Sequence, residues 1–122
     1  MIKLNSSLYC IDNSGAVKVQ AIRLLGGSSR KTSSASDVIV VSIKKVIPHK
    51  KVQKGSVFWA IVTRLNRNVM RDQSGFLRFT HNCVVLVNKK FNPVGSRVFG
   101  PVYRELRERG FLKIVSMASV CL

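Results

Sequence analysis

Short apolar runs of strand length, each bounded by turn residues, recur along most of this chain and limit what it can fold into. Val, Ile and aromatic residues, which favour strands, are common in these runs. Many short strands with regular turns are typical of a small barrel or sandwich, and we interpret the pattern as a barrel. The runs span residues 8–11, 17–25, 38–43, 57–65 and 83–87.

Several of these runs are apolar on both faces, whereas a half-buried strand alternates apolar and polar residues. Residues 83–87, for example, are apolar throughout. The second apolar face must therefore be covered, either by the chain's own helices or by a partner. We predict a core drawn from the strand residues Val19, Ile22, Val40, Ile43, Val57, Trp59, Ile61, Val85 and Val87.

The pattern changes near the end of the chain. Gly100-Pro101 is a typical helix start, because Pro is favoured in the first turn, and Gly110 should end that helix. Residues 111–118 then repeat apolar side chains at helical spacing. A β-hairpin is expected around Ser74-Gly75. With 122 residues, the chain is predicted to form a single domain, 1–122, with a barrel at about 7–100 and two short helices at about 101–118.

The net charge of +16 comes from 21 Lys and Arg residues against 5 Asp and Glu residues. Such self-repulsion opposes compaction and favours an anionic partner. No membrane partner is expected, because the longest apolar run, residues 57–62, is far too short to span a bilayer and the first residues lack a secretory signal. Nucleic acid is therefore the expected partner, and no homo-oligomer is expected.

Basic residues are concentrated where acidic residues are missing. Residues 38–71 contain 8 Lys and Arg without an Asp or Glu, and residues 73–104 contain 5 more, again without an acid. The densest segment, residues 44–54, surrounds Pro48 and is followed by Gly55, which is typical of a loop between two strands. Cations that project together displace several counterions from phosphates at once, so this 44–54 loop is predicted to bind RNA.

The aromatic residues give a weaker signal. Phe76 and Phe79 flank Arg78, as in a platform for unpaired bases. We interpret Phe79 and Trp59 as core residues instead, because the chain has few aromatic side chains for a core of this size. The sequence therefore favours folded RNA, read through its shape and phosphates, over a single strand read by stacking.

Catalytic, metal and cofactor sites are not expected. A ribonuclease would have to pair His49 and His81 across the fold, and we interpret them as an RNA-loop residue and a turn residue. Cys10, Cys83 and Cys121 are odd in number and form no CxxC pair, so neither a zinc site nor a redox motif is supported. Cys10 and Cys83 are predicted to be ordinary buried thiols.

Several stretches along the chain form an ordered set. They are Asp12-Asn13-Ser14-Gly15-Ala16, Leu24-Leu25-Gly26-Gly27-Ser28, Ala60-Ile61-Val62-Thr63-Arg64, Ser74-Gly75 with Phe79-Thr80-His81-Asn82-Cys83-Val84-Val85, and Gly95-Ser96-Arg97-Val98-Phe99-Gly100-Pro101-Val102-Tyr103-Arg104-Glu105-Leu106-Arg107. Together, from residue 8 to residue 118, they resemble the bacterial form of the universal large-subunit ribosomal protein fourteen. Their shared order and spacing make the resemblance specific.

The resemblance implies a mainly β fold: a small five-stranded β-barrel with a protruding β-hairpin and two short C-terminal helices. It also implies a structural role in the large ribosomal subunit, with direct binding to large-subunit rRNA and contacts with ribosomal proteins three and nineteen. The family lies at the subunit interface. The resemblance implies that the 44–54 loop faces small-subunit rRNA there, that the C-terminal part forms a second bridge, and that an exposed face receives a ribosome-silencing factor.

The charge pattern and the resemblance together give two sets of candidate site residues. The expected rRNA-binding residues are Arg23, Arg30, Lys31, Lys44, Lys45, His49, Lys50, Lys51, Lys54, Arg64, Arg67, Arg71, Arg78 and Arg97. The expected residues of the intersubunit bridges are Lys44, Lys45, His49, Lys50, Lys51, Arg97, Met117 and Ala118.

Three features depart from the bacterial pattern. Residues 33–36 lack the usual glycine, Lys44-Lys45 replaces a usual acidic residue, and residues 118–122 replace the usual Ala-Pro-Glu ending. With the added charge and the missing transit segment, these features predict a ribosome of the mitochondrial matrix, with the bacterial cytoplasm as the alternative. The alternative function is a β-barrel RNA-binding factor that visits the ribosome transiently, and the two-sided apolar strands favour permanent burial among partners.

Overall fold

Five strands form a closed β-barrel in this computed structural model, which describes residues 2–26, 32–71 and 75–122. In chain order the elements are β1 (Ser7–Cys10), β2 (Ala16–Leu24), β3 (Val38–Val46), β4 (Val57–Arg64), β5 (Val69–Arg71), β6 (Gly75–Leu77), β7 (Cys83–Val87), β8 (Pro101–Val102), α1 (Glu105–Glu108), α2 (Leu112–Met117) and β9 (Val120–Cys121). The barrel order is β1-β2-β3-β4-β7, and only the closing β1–β7 pair is parallel. The predicted fold class is confirmed.

The apolar strands have two buried faces, and the chain itself covers both. Val84 and Leu86 of β7 point into an interior cluster to which all five barrel strands contribute. The alternate residues of the same strand belong to an outer cluster under α1 and α2, because successive side chains of a strand point to opposite faces. The outer cluster comprises Ile11, Ile61, Cys83, Val85, Val87, Val98, Val102, Leu106 and Ile114. The two-sided pattern therefore gives no argument for a permanent partner.

Most of the predicted core residues are buried, but two are not. Val19 and Ile43 lie in the interior cluster, and the half-buried Trp59 packs against the outer cluster. Ile22 and Val57 are 42% and 58% exposed, so their prediction as core residues was wrong. Val19 and Ala21 of β2 both point into the interior cluster, so the next residue, Ile22, points outward by ordinary strand alternation. Val57 is the first residue of β4 and has an exposed side chain. The other predicted core residues that are buried are Val40, Ile61, Val85 and Val87.

The C-terminal segment begins as a strand, not as a helix. Pro101 and Val102 form β8, which pairs in parallel with β9, so the prediction of a helix start at Pro101 was wrong. Pro is tolerated at the first residue of a strand, where its missing N–H costs no ladder hydrogen bond. The two short helices follow as α1 and α2, and Gly110, with φ +87°, lies between them as expected.

β5 and β6 pair as an antiparallel hairpin between β4 and β7, as predicted, and Ser74 of its turn lies outside the described residues. Met70 and Phe76 are register partners in it and both side chains are exposed. Phe79 packs against the interior cluster, with its ring 5.1 Å from that of Tyr103. The prediction of Phe79 as a core residue is therefore confirmed, and a stacking platform of Phe76, Arg78 and Phe79 is not formed.

Candidate nucleic-acid interface

Three connections meet at one end of the barrel, because neighbouring antiparallel strands turn back at the same edge. We call this the loop end: residues 11–15, 44–56 and 88–98. The backbone N–H of Ile47 donates to the carbonyl of Gly15 at 2.8 Å. Gly15 has φ +111°, and a Cβ at this position would overlap the Cβ of Lys50. Only glycine therefore allows the 11–15 turn to lie directly against the 44–54 loop.

Asn13 joins the 11–15 turn to the 88–98 connection. Its side-chain oxygen accepts hydrogen bonds from the backbone N–H groups of Ser96 at 2.8 Å and Arg97 at 3.1 Å, and its Nδ2 donates to Ser96 Oγ at 2.9 Å. Lys51 Nζ lies 3.5 Å from the carbonyl oxygen of Val94. The structure thus brings Arg97 to the same end of the barrel as Lys50 and Lys51. The sequence marked Asn13 only as a turn residue and missed this function.

The 44–54 loop is held from within by an apolar anchor. Val52 is 3% exposed and belongs to the interior cluster, while the charged residues around it are exposed. The loop closes where Gly55 N donates to the carbonyl of Ile43 at 2.9 Å. The lysines therefore project from a fixed base.

Two register shifts in β2 and β3 determine where Lys44 and Lys45 point. Lys45 is the register partner of Lys18, and the pairing slips on both sides of Lys18. Bulges of this kind turn consecutive side chains away from strict alternation, so Lys44 and Lys45 are both exposed. Lys18 is also exposed and was not among the predicted site residues. Its position beside Lys45 depends on strand register, which the sequence does not reveal.

The one acidic residue at the loop end is buried and directed inward. The carboxylate of Asp12 accepts hydrogen bonds from Cys10 Sγ at 2.9 Å, Ser14 Oγ at 2.5 Å and the backbone N–H of Leu86 at 3.2 Å. Burial raises the pKa of the Cys10 thiol well above its usual value, and the neighbouring Asp12 carboxylate raises it further. Cys10 is half-buried and Cys83 is buried, so both serve as inert packing groups.

Asp37 is likewise buried in the fold. It accepts hydrogen bonds from the backbone N–H of Ser34 at 2.7 Å and from Arg109 Nη1 at 3.1 Å. In residues 2–26, 32–71 and 75–122, the remaining acids are Glu105 and Glu108 of α1. No exposed carboxylate among the described residues of the loop end compensates its cations, which favours binding of an anion there.

The predicted site residues differ in their exposure and in the end of the barrel at which they lie. His49, with φ +65°, and all five lysines of the 44–54 loop are exposed at the loop end together with Arg97. Met117 and Ala118 are half-buried against the outer cluster instead. Arg30 and Lys31 lie outside the described residues, as does the side chain of Arg71. The remaining exposed residues of the rRNA-binding set, which belong to the opposite end of the barrel or its hairpin, are Arg23, Arg67 and Arg78.

Arg64 differs from the rest of the predicted set because its side chain is half-buried and bound by the fold. Its Nε donates to the carbonyl of Pro101 at 2.7 Å, and its Nη2 donates to the carbonyl of Phe99. Its guanidinium carbon also lies 5.8 Å from the centre of the Phe79 ring. Arg64 therefore fastens the C-terminal segment to the end of β4, a role that its position in the sequence did not indicate.

Other classes of site find little support in the described part of the chain. No helix there has the length and apolar character of a membrane span. Nor do three or more His, Cys, Asp or Glu side chains gather there as metal ligands would. His81 packs edge-on against Tyr9, with ring centres 5.1 Å apart, whereas His49 is part of the exposed 44–54 loop.

Comparison with protein families gives an assignment that agrees with this geometry. The family model described as ribosomal protein L14p/L23e matches residues 1–122, the whole sequence. The family is a structural, non-enzymatic one of the large ribosomal subunit. The chain therefore belongs to the ribosomal protein L14p/L23e family and is a structural constituent of the large ribosomal subunit.

Proposed function

We propose that the protein binds large-subunit rRNA directly and that its loop end reaches small-subunit rRNA across the subunit interface. The observation that carries the proposal is the exposed cationic surface of the loop end. Its residues come from separate segments, are fastened together through Gly15 and Asn13, and face no exposed carboxylate in the described residues. Such a surface suits the phosphate backbone of folded RNA, which is read by shape and charge.

The rest of the basic set is assigned to anchoring in large-subunit rRNA. Arg23, Arg67 and Arg78 are exposed away from the loop end, which supports contacts on another side of the barrel. Arg64 contributes mainly by holding the C-terminal segment, because two of its N–H groups are already used by backbone carbonyls. The proposal also includes Arg30, Lys31 and Arg71 as rRNA contacts, and Met117 and Ala118 as part of a second bridge.

Further parts of the proposal depend on the family resemblance. They are contacts with ribosomal proteins three and nineteen, the docking of a ribosome-silencing factor, and a place in the mitochondrial matrix, with the bacterial cytoplasm as the alternative. The family assignment favours a permanent constituent over a transiently bound RNA-binding factor. Retention in the large-subunit peak during sedimentation in high salt separates these two roles.

Salt dependence tests direct binding to rRNA. If about six phosphates are neutralised, affinity for the large-subunit rRNA site should fall about a thousandfold between about 50 and 200 mM salt, with the slope for double-stranded DNA as a guide. Arg67→Gln should reduce the slope of log affinity against log salt by about one, because Arg67 is exposed on the side assigned to large-subunit rRNA. Lys50→Gln is the matched control, because Lys50 is exposed at the loop end and should leave the slope for this site unchanged. Binding that is insensitive to salt, or equal slopes for the two variants, would contradict the proposal.

A further inference from the structure

A row of exposed side chains crosses the outer face of three barrel strands. Tyr9 of β1 is the register partner of Lys18 of β2, and Lys18 is the register partner of Lys45 of β3. Side chains paired in this way lie on the same face of the sheet. The ring of His81 extends the row, because it packs edge-on against Tyr9.

Among the residues that the structure describes, the two lysines of the row have no acidic counterpart. Like charges directly opposite each other on neighbouring strands are destabilising. The Nζ of Lys18 lies 5.4 Å from the centre of the Tyr9 ring, a cation–π contact that offsets only part of this cost. The described acids are Asp12 and Asp37, which are buried, and Glu105 and Glu108 on α1. The lysine pair is therefore suited to a bound anion.

The aromatic half of the row is accessible. Tyr9 is 40% exposed although it lies in the middle of a barrel strand, and His81 is also exposed. Every nucleobase presents a flat face that stacks on such rings, whereas the bases of a duplex are stacked on one another. A ligand that fits the whole row must therefore carry both a phosphate and a free base.

We propose that Tyr9, His81, Lys18 and Lys45 form a site for an unpaired RNA nucleotide, whose base stacks on the aromatic rings and whose phosphates lie between the lysines. The inference rests on the proposed rRNA binding and deepens it, since the loop end alone requires only phosphate contacts. The stacking residues in this site are Tyr9 and His81, which the fold brings together, and not Phe76 and Phe79, which lie close together in the sequence. Duplex RNA on this face would contact the lysines but would not depend on the rings.

The test uses the full-length protein with two RNA probes: a uridine oligonucleotide of about ten residues and an RNA hairpin of about ten base pairs. The matched variants are Tyr9→Leu, which keeps apolar bulk without a ring, and Tyr9→Phe, which keeps the ring. Tyr9→Leu should weaken binding of the oligonucleotide about tenfold, and Tyr9→Phe should stay within about twofold of the wild type. Binding of the hairpin should be unchanged in both. Thermal unfolding of each variant checks that the fold is intact.

The outcomes separate this inference from the proposed function. Equal binding of the oligonucleotide by Tyr9→Leu and Tyr9→Phe would overturn the site. So would an equal loss for both probes, because the ring would then matter only to the fold. If the wild-type protein binds the hairpin with strong salt dependence in either of these cases, the proposed rRNA binding stands without the nucleotide site. If the wild-type protein binds neither probe, both proposals fail.

Discussion

The two ends of the barrel both carry basic residues but use them differently. At the loop end the cations are mostly lysines, and those of the 44–54 loop project from the anchor of Val52. At the opposite end, some arginines bind the protein itself: Arg64 holds two backbone carbonyls and Arg109 pairs with Asp37. The planar guanidinium suits such fixed bonds, whereas the flexible ammonium remains strongly hydrated and available. Charge density alone therefore does not identify a binding surface.

The largest expected loss of stability follows from replacing Gly15, where the 11–15 turn lies against the 44–54 loop. Gly15→Ala should lower the free energy of unfolding by about 3 kcal/mol or more, because it adds backbone strain and a clash with Lys50. Gly55→Ala is the matched control: Gly55 also has a positive φ, of +88°, but a Cβ there has open space. It should cost about 1 kcal/mol. Urea unfolding measures both, and equal costs would show that contact between Gly15 and Lys50 does not hold the loop.

A smaller loss of stability is expected when Arg64, which holds the C-terminal segment, is replaced. Arg64→Ala should lower the free energy of unfolding by about 2 kcal/mol, because it leaves the carbonyls of Phe99 and Pro101 without their donor. Arg67→Ala should change it by less than about 0.5 kcal/mol, since Arg67 is exposed. Chemical denaturation of both variants provides the comparison. Similar stabilities for the two would remove the distinction between structural and projecting cations.

The strands were predictable from sequence because β-branched runs and turn residues act locally. The same reasoning failed for Ile22, which follows the inward-pointing Ala21 and therefore points outward, and for Val57, which is exposed at the start of its strand. Pro101 has two common positions, the first turn of a helix and the first residue of a strand. The hydrogen bond from Arg64 to the Pro101 carbonyl and the pairing of β8 with β9 favour the strand. Neither contact is visible in the local sequence.

The candidate site was predictable in part for a similar reason. The 44–54 loop shows its charge within a short segment, so the sequence identified it. The proximity of Arg97 depends on Asn13, and that of Lys18 to Lys45 depends on strand register. Both are relations between distant segments, which composition and spacing do not specify.

The most direct test of the account is sedimentation of ribosomal subunits that carry Lys50→Glu with Lys51→Glu. The fold should be kept, because both side chains are exposed and the Cβ of residue 50 still packs on Gly15. Large subunits should contain the protein yet join small subunits poorly, most visibly at low magnesium, because like charge would face phosphate. The matched double variant Arg67→Glu with Arg78→Glu should instead reduce retention in the large subunit. Normal subunit joining by the lysine variant, or its loss from large subunits without a joining defect in those that retain it, would contradict the account.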